Sequence, residues 1–470
     1  MNPLMVMGCT SDAGKSFLVT ALCRYLANQG LSVAPFKAQN MSNQAAVTSD
    51  GLEIGRAQYL QAIASRQTPD VRMNPVLLKP ESDTFSQVIV RGSPDRDIAM
   101  IPWMERRHRL WPVVQEALKE LIHEHDCVVI EGAGSPAEVN LREADIVNMS
   151  VALECQADVF LVADIDRGGA FAHLLGTWMC LSEAERSLVK GFVLNKFRGD
   201  PQLLGNAMDW LREKTGVPTV AIVPMTPHAL PEEDTLHHRG KVCDEEINLA
   251  LLSYPYASNF EEFDPFRHEQ AVNLVPVRDY RRLNDFHAIF LPGSKNTAAS
   301  LDHLRRSGLA AEISRAAARG IPVYGVCGGL QMLGTRIIDE SGIEGGSVPG
   351  LGLLDVETTF HAQKTTRRTT LMKDGYRLEG YEIHHGRTQA GRGVEEYLSG
   401  GLGWRQGNIR GVYLHGIFEN TAYRQDFLHS LGWSGQSLDW KALMESELDR
   451  ISRLIPVSGW ADFLPINAKK

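Results

Sequence analysis

Two short runs carry residue types whose spacing suits chemistry. The first is Gly8-Cys9-Thr10-Ser11-Asp12-Ala13-Gly14-Lys15-Ser16, between an apolar run and a helix-like segment. Backbone N–H groups of Ser11, Asp12 and Gly14, with the helix N-terminus, suit the cradling of phosphate. Lys15 would neutralise the terminal phosphates of a nucleotide and Ser16 would ligate Mg²⁺. The loop has one residue more between its glycines than the common phosphate-loop pattern, which marks one subset of such enzymes. Glu131 closes the apolar run Cys127–Ile130 and could hold the metal directly or through water. Lys37, after a second apolar run, could stabilise a transferring phosphoryl group. Asp164 and Asp166 end a further run, as metal or substrate groups or as helix caps. Asn195-Lys196 ends another, where a nucleotide base could be read.

The second run is Val323-Tyr324-Gly325-Val326-Cys327-Gly328-Gly329-Leu330-Gln331. Glycines on both sides of Cys327 suit a sharp strand-to-helix turn that holds a thiol over a helix N-terminus, where thiolate is favoured. The N–H of Gly328 could donate to an oxyanion, with a second donor from Leu291-Pro292-Gly293-Ser294. The cysteine needs a base. His415, in Val412-Tyr413-Leu414-His415-Gly416, has a modest edge over His384, because its strand is longer and a glycine opens the following loop. A lone cysteine is more often a core residue; the flanking glycines argue otherwise.

The elements that must position these groups are visible as an alternation. Leu4–Met7, Val33–Phe36, Cys127–Ile130, Val159–Ala163, Phe192–Asn195 and Thr219–Val223 read as buried strands, with helix-like stretches such as Ser16–Asn28 and Trp111–His123 between them. That pattern predicts a mostly parallel sheet covered on both faces, with ligands at the carboxyl ends of its strands. A polar, acidic break at 233–246 reads as a linker. The alternation restarts over Asn248–Ser253, Val272–Val277, Ala288–Leu291 and Val323–Val326. Leu351–Phe360, Tyr381–His384 and Arg410–His415 look strand-rich, Ser341–Gly352 looks like a Gly-rich loop, and Leu438–Leu454 looks like one amphipathic helix. The predicted organisation is α/β, with units at 1–232 and 247–437 and a C-terminal helix and tail at 438–470.

Composition removes other classes. The 470 residues are too many for one compact core. With 48 basic against 57 acidic residues, the net charge of −9 offers no surplus for nucleic acid. No apolar run is long enough to span a membrane, and the start lacks the basic region of a signal peptide. Seven cysteines form no CxxC pair, which argues against structural zinc and disulfides and for a reducing cytoplasm.

Together the motifs resemble the cobyric acid synthase family, glutamine-dependent amidotransferases of cobalamin biosynthesis. GCTSDAGKS, APFKAQNMS, MNPVLLKP, VIEGAGSPAEVNL, ADIDRGG, NKFRGD, LPGSKNT, GVCGGLQMLG, GYEIHHGRT and YLHGIFEN occur in that family's order. The first half also resembles dethiobiotin synthetase, and the second resembles triad-type glutamine amidotransferases. The resemblance implies that Cys327 attacks glutamine with His415 as base, that Gly293 and Gly328 hold the oxyanion, and that Gln331 touches glutamine. It implies ATP at Ser11, Asp12, Gly14, Lys15, Ser16, Lys37 and Asn195, with Mg²⁺ at Ser16 and Glu131. It further implies adenosylcobyrinic acid a,c-diamide as acceptor, with Gln39, Asn40, Asp166 and Arg167 as corrinoid contacts. Triad-type enzymes carry Glu two residues after the histidine; here Ile417 stands there. A Cys–His dyad is then expected, with Glu419 as an alternative acid. Rival readings are cobyrinic acid a,c-diamide synthase and a regulatory ATPase with a degenerate second half.

Overall fold

The computed structural model describes residues 1–82, 84–231, 242–243 and 246–464. The predicted linker at 233–246 lies outside the described residues except at 242, 243 and 246, and so does the end of the tail, 465–470.

In the first half, apolar runs with no alternating polarity form strands buried on both faces. These are β1 (Leu4–Gly8), β2 (Val33–Phe36), β3 (Cys127–Glu131), β4 (Asp158–Asp164), β5 (Val189–Phe197) and β6 (Thr219–Pro224). They pair in the order β6-β5-β4-β1-β3-β2, all parallel. Helix α1 (Lys15–Asn28) follows the phosphate-type loop, and α2 (Arg56–Ala64) follows β2 after an excursion. In that excursion Gln39–Met41 pairs with Val76–Pro80, which lies beyond α2, and Ser86–Val90 and Ser93–Pro94 complete the small sheet.

The second half repeats the design with β7 (Ile247–Leu252), β8 (Val272–Val277), β9 (Ala288–Leu291) and β10 (Val323–Val326). The sheet runs β8-β7-β9-β10-β15-β14-β13, where β13 is Glu395–Leu398, β14 Gly403–Gln406 and β15 Ile409–Val412. Helix α3 (Gly328–Leu333) leaves β10 at Cys327. Before β13 comes a long antiparallel hairpin, β11 (Val356–Lys373) and β12 (Tyr376–Ala390). Its inner part meets the first half: Tyr381 and Ile383 share an apolar cluster with Ala45, Val47, Leu77 and Ile89.

The C-terminal stretch predicted as one helix is α4 (Trp440–Ser452) followed by a short turn of helix at Leu454–Val457. It returns to the first half. Leu448, Ile451, Ile455 and Trp460 are fully buried in one cluster with Leu18, Leu22, Phe160 and Val162. Arg24 of α1 binds Glu445 at 2.5 Å and Asp449 at 2.7 Å.

Candidate functional site

Five parallel strands deliver the first site to one sheet edge. The loop after β1 turns through Gly14 at φ 90°, where a side chain would collide with Asn195. Asn195, buried at the end of β5, donates to Ala13 O at 2.8 Å. It therefore supports the loop from beneath and is not among the residues facing the cavity. Lys15 Nζ lies 3.2 Å from Gly134 O. Ser16 Oγ donates to Glu131 Oε1 at 2.8 Å, and Lys37 Nζ reaches the same oxygen at 2.8 Å. Gln61 of α2 donates to Glu131 Oε2 at 2.6 Å. Burial would raise the Glu131 pKa, but Lys37 and these hydrogen bonds outweigh it and hold the carboxyl below its usual range.

A cavity of about 1190 Å³ opens over this edge. Ser11, Asp12, Gly14, Lys15, Ser16 and Lys37 face it, as do Asn40, Glu131 and Arg167. Of the expected corrinoid contacts, Gln39 and Asp166 do not line it. Gln39 is part of the small sheet beside Val76, and Asp166 pairs with exposed Arg198 at 2.9 Å. Asp164 binds Lys196 at 2.9 Å. The opposite wall comes from the second half: Arg368, Tyr376, Arg377, Tyr381 and Glu419, with Trp440 of α4. Sequence reasoning missed these residues, because no local pattern says that a hairpin reaches across to the other sheet.

The second site sits at the carboxyl ends of β9, β10 and β15. Cys327 adopts φ 52°, ψ −106°, a strained turn for a non-glycine residue. The turn is possible because Gly329 passes so close to β9 that a side chain there would strike Leu291 O. Gly328 lies against Ser294 N, and Gly293 beside His415, so both expected glycines border the nucleophile's neighbourhood. Gln331 is buried, with Thr297 donating to its Oε1 at 3.4 Å.

Cys327 and His415 line the same small cavity, and the Cys327 thiol lies 3.6 Å from Ile383 O. His384 lines the same cavity but is held by Glu382 at 3.2 Å and Gly386 O at 2.7 Å, stacked on Tyr413. The expected dyad needs correction. Glu262 accepts from His415 Nδ1 at 2.9 Å and from the Gly416 N–H at 2.9 Å, so a third group orients the imidazole. Glu419 does not serve; it pairs with Arg56 at 2.6 Å. Burial lowers the His415 pKa, but the Glu262 carboxylate, with Cys327 nearby, raises it to about 10. This geometry favours the imidazolium form of His415 beside the Cys327 side chain. Tyr381 stacks on His415 with ring centroids 5.2 Å apart and also faces the large cavity. Tyr381 thus borders both sites.

Residues 4–235 match the CobQ/CobB/MinD/ParA nucleotide binding domain, and residues 248–423 match the CobB/CobQ-like glutamine amidotransferase domain. A cobyric acid synthase of Deinococcus radiodurans is 55% identical over 441 residues, covering 90% of this chain and 92% of that protein. The chain belongs to the cobyric acid synthase family. A second relative of that name, from Polaromonas sp. strain JS666, is 50% identical over 464 residues, 90% of this chain and 91% of its own. Among solved structures, a glutamine amidotransferase covers 39% of this chain and 97% of its own at 20% identity and TM-score 0.33. Membership makes the chain an enzyme of cobalamin biosynthesis and sets aside the regulatory ATPase reading. Among the described residues no helix is long and apolar enough to cross a membrane.

Proposed function

We propose that the chain amidates the b, d, e and g carboxylates of adenosylcobyrinic acid a,c-diamide in turn, giving adenosylcobyric acid. The observation that carries this reading is the arrangement of two unlike sites back to back, the Cys327–His415–Glu262 group and the phosphate-loop cavity, both bordered by Tyr381. At Cys327 the thiolate attacks the glutamine amide. The oxyanion meets the N–H groups of Gly293 and Gly328, and His415 gives its proton to the leaving ammonia. Water then cleaves the glutamyl thioester to glutamate. At the other site a substrate carboxylate takes the terminal phosphoryl group of ATP, releasing ADP. Ammonia attacks the acyl phosphate, forming the amide and expelling phosphate. Carboxylate is a poor electrophile and phosphate a good leaving group, which is why ATP is spent.

Lys15 and Lys37 are placed to hold negative charge on the phosphates. The donor set fits Mg²⁺: the Ser16 hydroxyl and the Glu131 carboxylate are hard oxygens 2.8 Å apart on the cavity wall, of the kind Mg²⁺ takes beside phosphate and water. When bound, the ion would supply neutralising charge to the phosphates. Asn40 and Arg167 are the corrinoid contacts that the cavity supports. In this reading 1–232 carries amidoligation and 247–437 ammonia release, with 233–246 as linker and 438–470 as C-terminal helix and tail. The setting is the cytoplasm, which supplies ATP and glutamine and keeps thiols such as Cys327 reduced.

Mass spectrometry of the corrinoid after incubation with protein, ATP-Mg²⁺ and amide-labelled glutamine tests this. A ladder of labelled amides ending at cobyric acid is expected. No label uptake by protein that hydrolyses ATP would assign it another carboxylate substrate.

A further inference from the structure

Free glutamine differs from a glutaminyl side chain by two charges, an α-carboxylate and an α-ammonium. An enzyme that draws nitrogen from free glutamine must read both, because the amide alone is common to proteins and peptides. The small cavity at Cys327 is lined by a buried lysine and a buried glutamate, neither in an ion pair among the described residues.

Lys295 follows directly on Gly293-Ser294 and is only 6% exposed. Burial lowers its pKa, but the carboxylates of Glu344, Glu81 and Glu53 outweigh that and keep it a cation. Among the described residues, no carboxylate oxygen lies within 4.0 Å of its Nζ. Among the described residues, the Nζ hydrogen bond is a long 3.4 Å contact to Gln87 Oε1. The neighbouring lysines on that wall are taken, since Lys79 and Lys364 each lie 2.5 Å from Glu53. Glu344 is 7% exposed. Thr297, which also bonds Gln331, donates to its Oε2 at 2.8 Å, and among the described residues no cation stands within ion-pair distance of it. Lys295 and Glu344 thus act on each other only from beyond ion-pair distance, and a ligand that bonds each directly would offset the cost of burying them.

We propose that Lys295 holds the α-carboxylate of the glutamine substrate and Glu344 its α-ammonium, so that this pair selects free glutamine at Cys327. The inference rests on glutamine hydrolysis at Cys327. A third group fits it. His385 Nε2 is buried on the same wall with no hydrogen-bond partner among the described residues, while its Nδ1 meets His361 O at 3.0 Å. Burial, Lys295 and Lys364 push the His385 pKa down to about 3, so the ring is neutral and Nε2 is a free acceptor. The free space is about 10 Å³, close to one water molecule. Binding of glutamine therefore requires this cavity to widen.

The test compares kcat/KM for three amides in the full-length protein: glutamine, glutaramic acid (no α-ammonium) and 4-aminobutanamide (no α-carboxylate). Each ratio is taken within one sample, so a partly unfolded preparation does not move it. Lys295→Met is expected to cut the preference for glutamine over 4-aminobutanamide on the order of 10- to 100-fold, the worth of one charged hydrogen bond. Its preference over glutaramic acid should change little. Glu344→Gln should do the converse, and Lys295→Arg should retain both preferences. Ratios that stay put in both variants, or three amides that fall together, would overturn the assignment. A wild-type protein that hydrolyses no glutamine would remove the proposed function and this inference together.

Discussion

His415 owes its basicity to a carboxylate 153 residues before it. Without Glu262, burial would leave the imidazole a poor proton acceptor; with it the pKa rises to about 10. Glu262→Gln keeps the shape and removes the charge. Glutamine hydrolysis should then lose on the order of 10²-fold in kcat, as when an oriented catalytic base loses its anchor. The alkaline limb of the pH profile should move down from about 10, because the imidazolium loses the charge that stabilises it. An unchanged limb would mean that Glu262 only fills space. Cys327→Ala should lower the ratio of glutamine-supported to ammonia-supported amidation by at least about 10³-fold, since the nucleophile serves only one nitrogen source. The Cys327 elbow was legible because glycines bracket it. Glu262 was not, because it sits in a 3-10 segment, Phe260–His268, whose spacing carries no catalytic pattern.

The elements show where sequence patterns suffice and where they fail. Fully buried parallel strands such as Leu4–Gly8 are continuous apolar runs, so they were readable at once. The hairpin of β11 and β12 was only partly readable. Its outer residues are largely exposed and polar, and its value lies in what the inner turns touch. The C-terminal helix was visible as an amphipathic stretch, but its partner was not, because period shows a face and not what covers it. That partner is α1, directly behind the phosphate loop. Leu448→Ala should therefore destabilise the first half by about 2 to 5 kcal/mol, read as a lower denaturant midpoint. Weaker nucleotide binding should accompany it, with glutamine hydrolysis less affected. At the other site, Gly329→Ala should push α3 off β9, because Leu291 O is backbone and cannot yield. The expected result is a folded protein whose Cys327 no longer reacts with a thiol-directed glutamine analogue.

At the scale of the molecule, Arg56 ties the halves together. It leaves α2 of the first, lies 2.6 Å from Glu419 and 3.7 Å from Glu261 of the second, and faces the large cavity. Glu261 is buried, and among the described residues neither carboxyl oxygen has a hydrogen-bond partner. Burial raises its pKa, Arg56 lowers it and neighbouring Glu262 raises it again, leaving it at about 8 against an ordinary 4.5. The native state thus holds a proton there that the unfolded chain has lost. By linkage, stability falls as pH rises from about 4.5 and levels off above about 8. His415 adds a loss of the same sign between about 6.5 and about 10. Glu131, whose pKa is lowered, acts oppositely, and its contribution is already complete above the ordinary carboxylate range. Thermal unfolding should therefore shift to lower temperature as pH climbs from 6 to 9. Glu261→Gln mimics the protonated form and removes one of the two losses. Relative to wild type, this variant should be nearly neutral around pH 5 and gain up to a few kcal/mol by pH 9, at roughly 1.4 kcal/mol per pH unit of pKa difference. An ionised Glu261 held by Arg56 would give the opposite sign, a variant less stable than wild type at every pH. The same titration then tells whether the charge of Arg56 is spent across the interface or left to Glu419 and the cavity that the substrate enters.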